Sequence, residues 1–416
     1  MKIRYKLLLI LIIITIFIST FTNNISYAKT QTNNNLSLYS ESAILIDSST
    51  GKILYGKAEN KQMYPASTTK ILTAIIALEK CQLTEHAKAS YEAIRAIPSG
   101  YSNAAIQENE SLSIEDLLNL FLLHSANEVG YILAEHISGN VENFAELMNN
   151  KAKEIGCTNT NFTNPSGLHD ENHYSTAYDL ALIAKYCMQN ETFRNIVAKT
   201  SCKVEATEKY EQRYFLNTNE LLHSANQYYY KYAIGIKTGY TSQAKNCLIA
   251  ASLKDNLELI SVVLGAQTTE TGKSARNIDT INLFEYGFSN YTSQEIIAKN
   301  SVANEIVIEN GTEDTKNLPV LVKDSIISTV PSNFNIESIE SSIELNENLK
   351  APIAEGSVVG KINYNIDGYT YTSDLIAEHN VEKSELKLLI AQTVLAIFLL
   401  FLLSLLLSTK KSKKKK

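Results

Sequence analysis

Cysteine is scarce and unpatterned: five residues, Cys81, Cys157, Cys187, Cys202 and Cys247, with no CxxC or CxxH spacing. That set argues against a zinc site and a complete disulfide framework, and the side chains read as small buried hydrophobes. Histidines also lack a metal-binding pattern. His169 and His173 stand four apart, but no H-E-x-x-H accompanies them. His136 and His223 read as structural, and no Ser-His-Asp order suggests itself. Neither metal nor cofactor is expected. Basic charge is short as well. Nine of the 38 Lys and Arg residues lie in the two terminal segments, leaving 29 against 44 acidic residues. An acidic body argues against a nucleic-acid partner.

Both ends carry long apolar runs. Lys2, Arg4 and Lys6 precede an uncharged stretch from Leu7 to Ile18, and Ser26-Tyr27-Ala28 follows. This is the pattern of a secretory signal over residues 1–28, with an uncleaved anchor as the alternative. Near the other end, Leu388 to Leu407 holds only Gln392, Thr393 and Ser404 as polar residues, and six lysines follow between Lys410 and Lys416. At about 1.5 Å per residue this run matches a hydrocarbon core of about 30 Å. A transmembrane helix over 387–408 is expected, with the basic tail 409–416 inside and the body outside. The expected location is the cell membrane, single-pass, with the working domain extracytoplasmic.

Between these ends, Ser42 to Tyr55 reads as a hairpin, and a helix follows Pro65 with Ile71, Leu72, Ile75, Ile76 and Leu78 at helical spacing. Further helices are expected around 114–123, 129–137, 141–155 and 177–188. Short strands follow at 233–238, 246–253 and 257–264, then a helix at about 275–286. Strands flanking a helical insertion predict an α+β domain over 38–290, its antiparallel sheet flanked by helices and a helical subdomain. From about 295 to 380, β-branched alternation and the turns Asn310-Gly311 and Asp367-Gly368 predict a small all-β domain.

Three segments could carry chemistry. Ser67-Thr68-Thr69-Lys70 opens the helix after Pro65, where a serine and a lysine three positions on share a face. A neutral lysine there can take the serine proton, which requires desolvation or a second cation. The same residues would serve equally as an N-cap and an exposed helix lysine. Ser125-Ala126-Asn127 lies between two helical patterns, offering a hydroxyl and an amide to one cleft. Ser125 could instead cap the next helix in a box with Glu128. Lys237-Thr238-Gly239 ends a strand, where a cation and a hydroxyl beside a side-chain-free residue could hold a carboxylate. It could also be a polar strand end.

Taken together in this order, the three segments form the motif set of class A β-lactamases and penicillin-binding proteins. The chain resembles the low-molecular-mass penicillin-binding proteins, the D-alanyl-D-alanine carboxypeptidases, from about Leu38 to Phe288. The likeness includes Tyr64-Pro-Ala-Ser-Thr-Thr-Lys70, Asn164-Pro-Ser-Gly-Leu168, His173-Tyr-Ser-Thr-Ala177 and Gly235-Ile-Lys-Thr-Gly239, and continues through Gly356-Ser-Val-Val-Gly360. The resemblance implies a β-lactamase/transpeptidase-like fold. It makes Ser67 the acylated nucleophile, Lys70 its base and Ser125 the proton relay. Asn127 would orient the substrate, Lys237 would lower the pKa of Lys70, and Thr238 with Arg276 would hold the terminal carboxylate. The oxyanion hole would be the amides of Ser67 and Tyr240, beside Gly239.

Implied substrates are peptidoglycan stem peptides ending in D-Ala-D-Ala, and implied covalent inhibitors are β-lactams. His124 and Glu128 depart from what relatives often carry, Lys245 sits where glycine is frequent, and many relatives use an amphipathic anchor. A β-lactamase is one alternative, although no Glu-x-x-x-Asn element follows the second motif. A catalytically silent wall-binding scaffold is another, against which the intact motif residues argue.

Overall fold

The computed structural model describes residues 36–412. The expected signal over 1–28 and the last lysines, 413–416, lie outside the described residues. The described residues divide into two compact units. One runs through Gln294 and includes Ile327–Phe334; the other holds Glu295–Ile326 and the chain from Asn335 onward.

The first unit is built on a five-stranded antiparallel sheet of order β2-β1-β9-β8-β7: β1 Ser42–Asp47, β2 Ile53–Lys57, β7 Ala233–Thr241, β8 Lys245–Lys254 and β9 Leu257–Ala266. Between β2 and β7 lie α1 Lys70–Lys80, β3 His86–Lys88, α2 Tyr91–Arg95, β4 Ser111–Ser113, α3 Ile114–Asn119, α4 Asn127–Ser138, α5 Val141–Ile155, α6 Ala177–Met188, α7 Glu191–Val197, β5 Ser201–Val204 and β6 Arg213–Leu216. Helix α8, Ala275–Asn290, follows the sheet.

The sheet is apolar on both faces because it is covered on both. Strand alternation sends Ile44, Ile46, Ile249, Ile260 and Val262 into one core with α1 and the helical insertion. It sends Ala43, Leu45, Leu248, Leu259 and Val263 into a second core with Leu283 and Phe284 of α8. The segment 327–334 joins this unit by polar links: Lys52 Nζ donates to Thr329 O at 2.9 Å, and Thr329 Oγ1 donates to Asp47.

Strand β10, Tyr291–Ile297, begins in the first unit and ends in the second, and β13, Ile326–Pro331, lies in the first apart from Ile326; the second unit contains β11 Val302–Val307, β12 Asn317–Val322, β14 Ser341–Leu345, β15 Val358–Ile366 and β16 Tyr369–Ala377. Its main sheet runs β11-β12-β16-β15-β14. Leu318, Val320, Val322, Ile362, Ile366 and Leu375 are buried. Asp367 and Gly368, at φ 50° and 81°, make the tight β15–β16 turn their sequence suggests. Helix α9, Leu386–Ser412, closes the described chain. Among the described residues no helix is long and apolar enough to cross a membrane; the side chains described within α9 are those of 389–404.

Candidate active site

Ser67 sits in a 3-10 turn, Ala66–Thr69, that runs directly into α1 at Lys70. Ala66 ahead of it is buried with φ 50°, a left-handed backbone that alanine adopts at a cost. Gly239 of β7 lies against this turn. A Cβ there would meet Ser67 N at 3.1 Å, Ala66 Cβ at 3.2 Å and Pro65 O at 3.2 Å. The absence of a side chain thus lets the strand carrying the Tyr240 amide approach the Ser67 amide. The Tyr240 side chain is 61% exposed.

Lys70 is fully buried, and its amine has three neighbours: Ser67 Oγ at 2.9 Å, Asn127 Oδ1 at 2.7 Å and Ser166 O at 2.6 Å. The last two oxygens can only accept. The orientation of the Asn127 amide is fixed by its other end, since Nδ2 donates to Ser102 O at 2.8 Å. A neutral amine spends its two N–H bonds on these acceptors and turns its lone pair to the Ser67 hydroxyl. Burial pushes the Lys70 pKa well below the usual lysine range, and the nearby Lys237 adds to it. Both requirements for a lysine base are therefore present.

The Ser125-Ala126-Asn127 segment is placed by a break in helix geometry. After α3 the chain makes a π-helical turn, Leu120–His124, and Ser125 then takes φ 68°. Ser125 and Asn127 are both buried. The alternative capping box of Ser125 with Glu128 does not form: Ala126 occupies the N-cap of α4 without a side-chain cap, and Glu128 Oε1 accepts from Ala104 N at 2.6 Å instead. His124 Nε2 contacts Asn103 O at 3.1 Å and its ring packs on Phe215.

Lys237 is buried on β7 and donates to Thr238 O at 3.0 Å. Burial, with Arg276 nearby, pushes its pKa down to about 7. Thr238 Oγ1 lies 2.6 Å from Thr218 Oγ1. Arg276 opens α8 and faces Glu220 at 3.8 Å, with its Nε buried and without a hydrogen-bond partner. Lys245 has φ 58°, a left-handed backbone that favours glycine, and pairs with Glu41 at 2.5 Å.

Two contributors had no side-chain signal in the three motifs. Ser166 acts through its carbonyl, in a loop pinned by Asn164 Oδ1, which accepts from the amides of Ser166, Gly167 and Leu168. His173 Nε2 lies 2.9 Å from Thr69 Oγ1, and burial pushes its pKa down to about 4, so it is neutral near pH 7. His169 packs edge-on against Tyr64. Cysteines are free throughout, four buried and Cys81 half-buried. Among the described residues one set of metal-ligating atoms clusters, Cys81, Glu85 and His136, at the C-terminal ends of α1 and α4. Lys70 and Asn127 stand at the opposite ends of those helices.

With this geometry in view, the family profile described as D-alanyl-D-alanine carboxypeptidase matches residues 28–268, and the profile described as the C-terminal domain of penicillin-binding protein 5 matches 291–383. The chain is similar to D-alanyl-D-alanine carboxypeptidase DacF of Bacillus subtilis, 31% identical over 91% of this chain and 94% of that protein. It is 32% identical to DacA of Haemophilus influenzae over 78% of this chain and 80% of that one. Among solved structures, penicillin-binding protein 5 from Haemophilus influenzae superposes with a TM-score of 0.67 at 30% identity, covering 84% of this chain and 99% of the other. The α+β architecture with its C-terminal β domain is thus that of the penicillin-binding proteins, and the chain belongs to the D-alanyl-D-alanine carboxypeptidase family.

Proposed function

We propose that this protein is a serine-type D-Ala-D-Ala carboxypeptidase acting on peptidoglycan pentapeptide stems. The observation that carries the reading is the buried amine of Lys70, 2.9 Å from Ser67 Oγ, whose two other partners are pure acceptors and whose pKa burial and Lys237 push well below the usual lysine range. Ser67 Oγ attacks the carbonyl carbon of the penultimate D-alanine as its proton passes to Lys70. The oxyanion forms between the amides of Ser67 and Tyr240. Collapse breaks the peptide bond, and the leaving D-alanine amine takes a proton relayed through Ser125. Water then hydrolyses the ester. Asn127 orients the stem, while Thr238 and Arg276 hold the terminal carboxylate near Lys237. A β-lactam offers the same carbonyl and carboxylate and acylates the same serine. The test is release of D-alanine from a synthetic pentapeptide. Purified protein should release it, Ser67→Ala should not, and release by the variant would sink the assignment.

The reading extends to a membrane tether. Apolar side chains on all sides of α9 are exposed, among them Leu395 at 58%, Phe398 at 56% and Phe401 at 61%. A helix apolar all round requires an apolar environment. With the uncharged run Leu388 to Leu407 and the lysines beyond it, a single span with an extracytoplasmic catalytic unit follows. Carbonate washing of membranes should leave the full chain bound and release a chain ending at Glu385. Release of both would refute the span.

A further inference from the structure

Glu128 follows the second motif and is used by none of the steps above. It is 2% exposed on the first turn of α4. Oε1 accepts from Ala104 N at 2.6 Å, while Oε2 is buried without a hydrogen bond of normal geometry, although the Ile106 amide lies close enough to favour its charge. Burial raises the pKa of this carboxyl, and the neighbouring amides and Lys70 oppose the rise and favour its charge.

Ala104 lies in a strap, residues 102–106, that runs against the start of α4. Ser102 O in this strap accepts both the backbone N of Asn127, at 2.9 Å, and its Nδ2, at 2.8 Å. On its other edge, Ala104 O accepts from Arg213 Nη1 at 3.2 Å, and Asn103 O meets His124. Glu128 thus fastens the strap to the helix whose first residue is Asn127. Asn127 Oδ1 in turn holds Lys70.

We propose that Glu128 is a positioning residue for acylation: it fastens the strap that orients Asn127, and its carboxylate is the buried counter-charge to the ammonium that Lys70 becomes on taking the Ser67 proton. The inference rests on the acyl-transfer reading of this site. Lys70 is faced by Lys237 from β7, by Glu128 from α4 and by the neutral His173. Behind Lys237 stands Arg276 of α8, itself facing Glu220, and His124 also feels Lys237. Burial and Lys237 lower the basicity of Lys70, whereas the Glu128 charge opposes them. A general base works best with its pKa near the working pH, so this opposition maintains proton-accepting power.

The experiment measures the rate of Ser67 acylation by a fluorescent penicillin from pH 5 to 10. Glu128→Gln keeps an acceptor for Ala104 N and loses the charge. Its acidic limb should move to lower pH and its plateau rate fall about tenfold, with the apparent affinity for the lactam unchanged. Glu128→Asp keeps the charge and loses the reach. Its limb should stay in place while the rate falls, by up to about a hundredfold, and strap amides exchange faster with deuterium. A Gln variant with the wild-type profile would overturn the inference, as would one that acylates normally but retains the adduct longer, since Glu128 would then serve deacylation. Should the Gln variant fail to fold, the Asp variant decides: wild-type rate and exchange would refute the role. Lactam acylation does not require D-alanine release, so failure here is separable from failure of the carboxypeptidase assignment.

Discussion

Gly167 offers a stringent mutational test, because its carbonyl-facing side is closed by the turn that carries the nucleophile. Its φ is +81°, and a Cβ would sit 1.8 Å from Ala66 O, 2.4 Å from Ala66 C and 2.9 Å from Thr69 Oγ1. Restoring ordinary contact requires the Ala66 carbonyl to retreat by on the order of 1.5 Å. For Gly167→Ala, the left-handed backbone costs about 1–2 kcal/mol and the overpacking about 1–3 kcal/mol. The expected loss is about 2–5 kcal/mol, or about 4–20 °C in Tm for a unit of this size. The peptide that must move leads into Ser67, and a displacement near 1 Å lowers the acylation rate by about a hundredfold. Gly139→Ala is the control, since Gly139 has φ +82° with nothing within 4 Å of a Cβ. It should lose about 1–2 kcal/mol and acylate normally. Thermal melts and lactam acylation read both variants. A Tm within about 2 °C of wild type together with normal acylation in Gly167→Ala would refute the reasoning.

Other outcomes follow from the buried charges. Lys237 has a folded pKa of about 7, below its unfolded value of about 10.4, so between these the unfolded chain holds the extra proton. Stability relative to Lys237→Met should rise with pH across that window; a flat difference in chemical denaturation would contradict a buried, depressed lysine. Arg213 and Glu110 form a buried ion pair that Thr207 Oγ1 also supports. Arg213→Met should lose about 3–5 kcal/mol, and adding Glu110→Leu should recover part of it. A double variant no more stable than the single would refute an uncompensated charge as the cause.

Sequence patterning revealed the architecture where burial is one-sided or continuous. The periodicity of 141–155 and 177–188 coincides with α5 and α6, and the apolar runs at 246–253 and 257–264 lie within β8 and β9. Short elements of mixed polarity gave no such signal. The β5–β6 hairpin and α7 are held by tertiary contacts, such as Arg213 with Glu110 and Arg194 with Glu258. The segment 114–123 reads as one helix because its apolar spacing continues, whereas the structure changes to a π-turn at Leu120 to deliver Ser125 in a left-handed backbone. Within the site, the motifs show which side chains are present. They do not show the Ser166 carbonyl or the 102–106 strap, since backbone acceptors leave no mark in residue type. The alternative role of Glu128 failed for a related reason: capping-box spacing offers a local partner, but the N-cap is Ala126 and the amide Glu128 meets belongs to Ala104.

The central claim is that Lys70 activates Ser67 for covalent acyl transfer. Mass spectrometry of the protein after brief exposure to a penicillin tests it most directly. The account predicts one adduct of the lactam's mass on the peptide containing Ser67, formed faster as pH rises through the Lys70 titration and absent from Ser67→Ala. An adduct on another residue, or an equal rate in Lys70→Met, would contradict it.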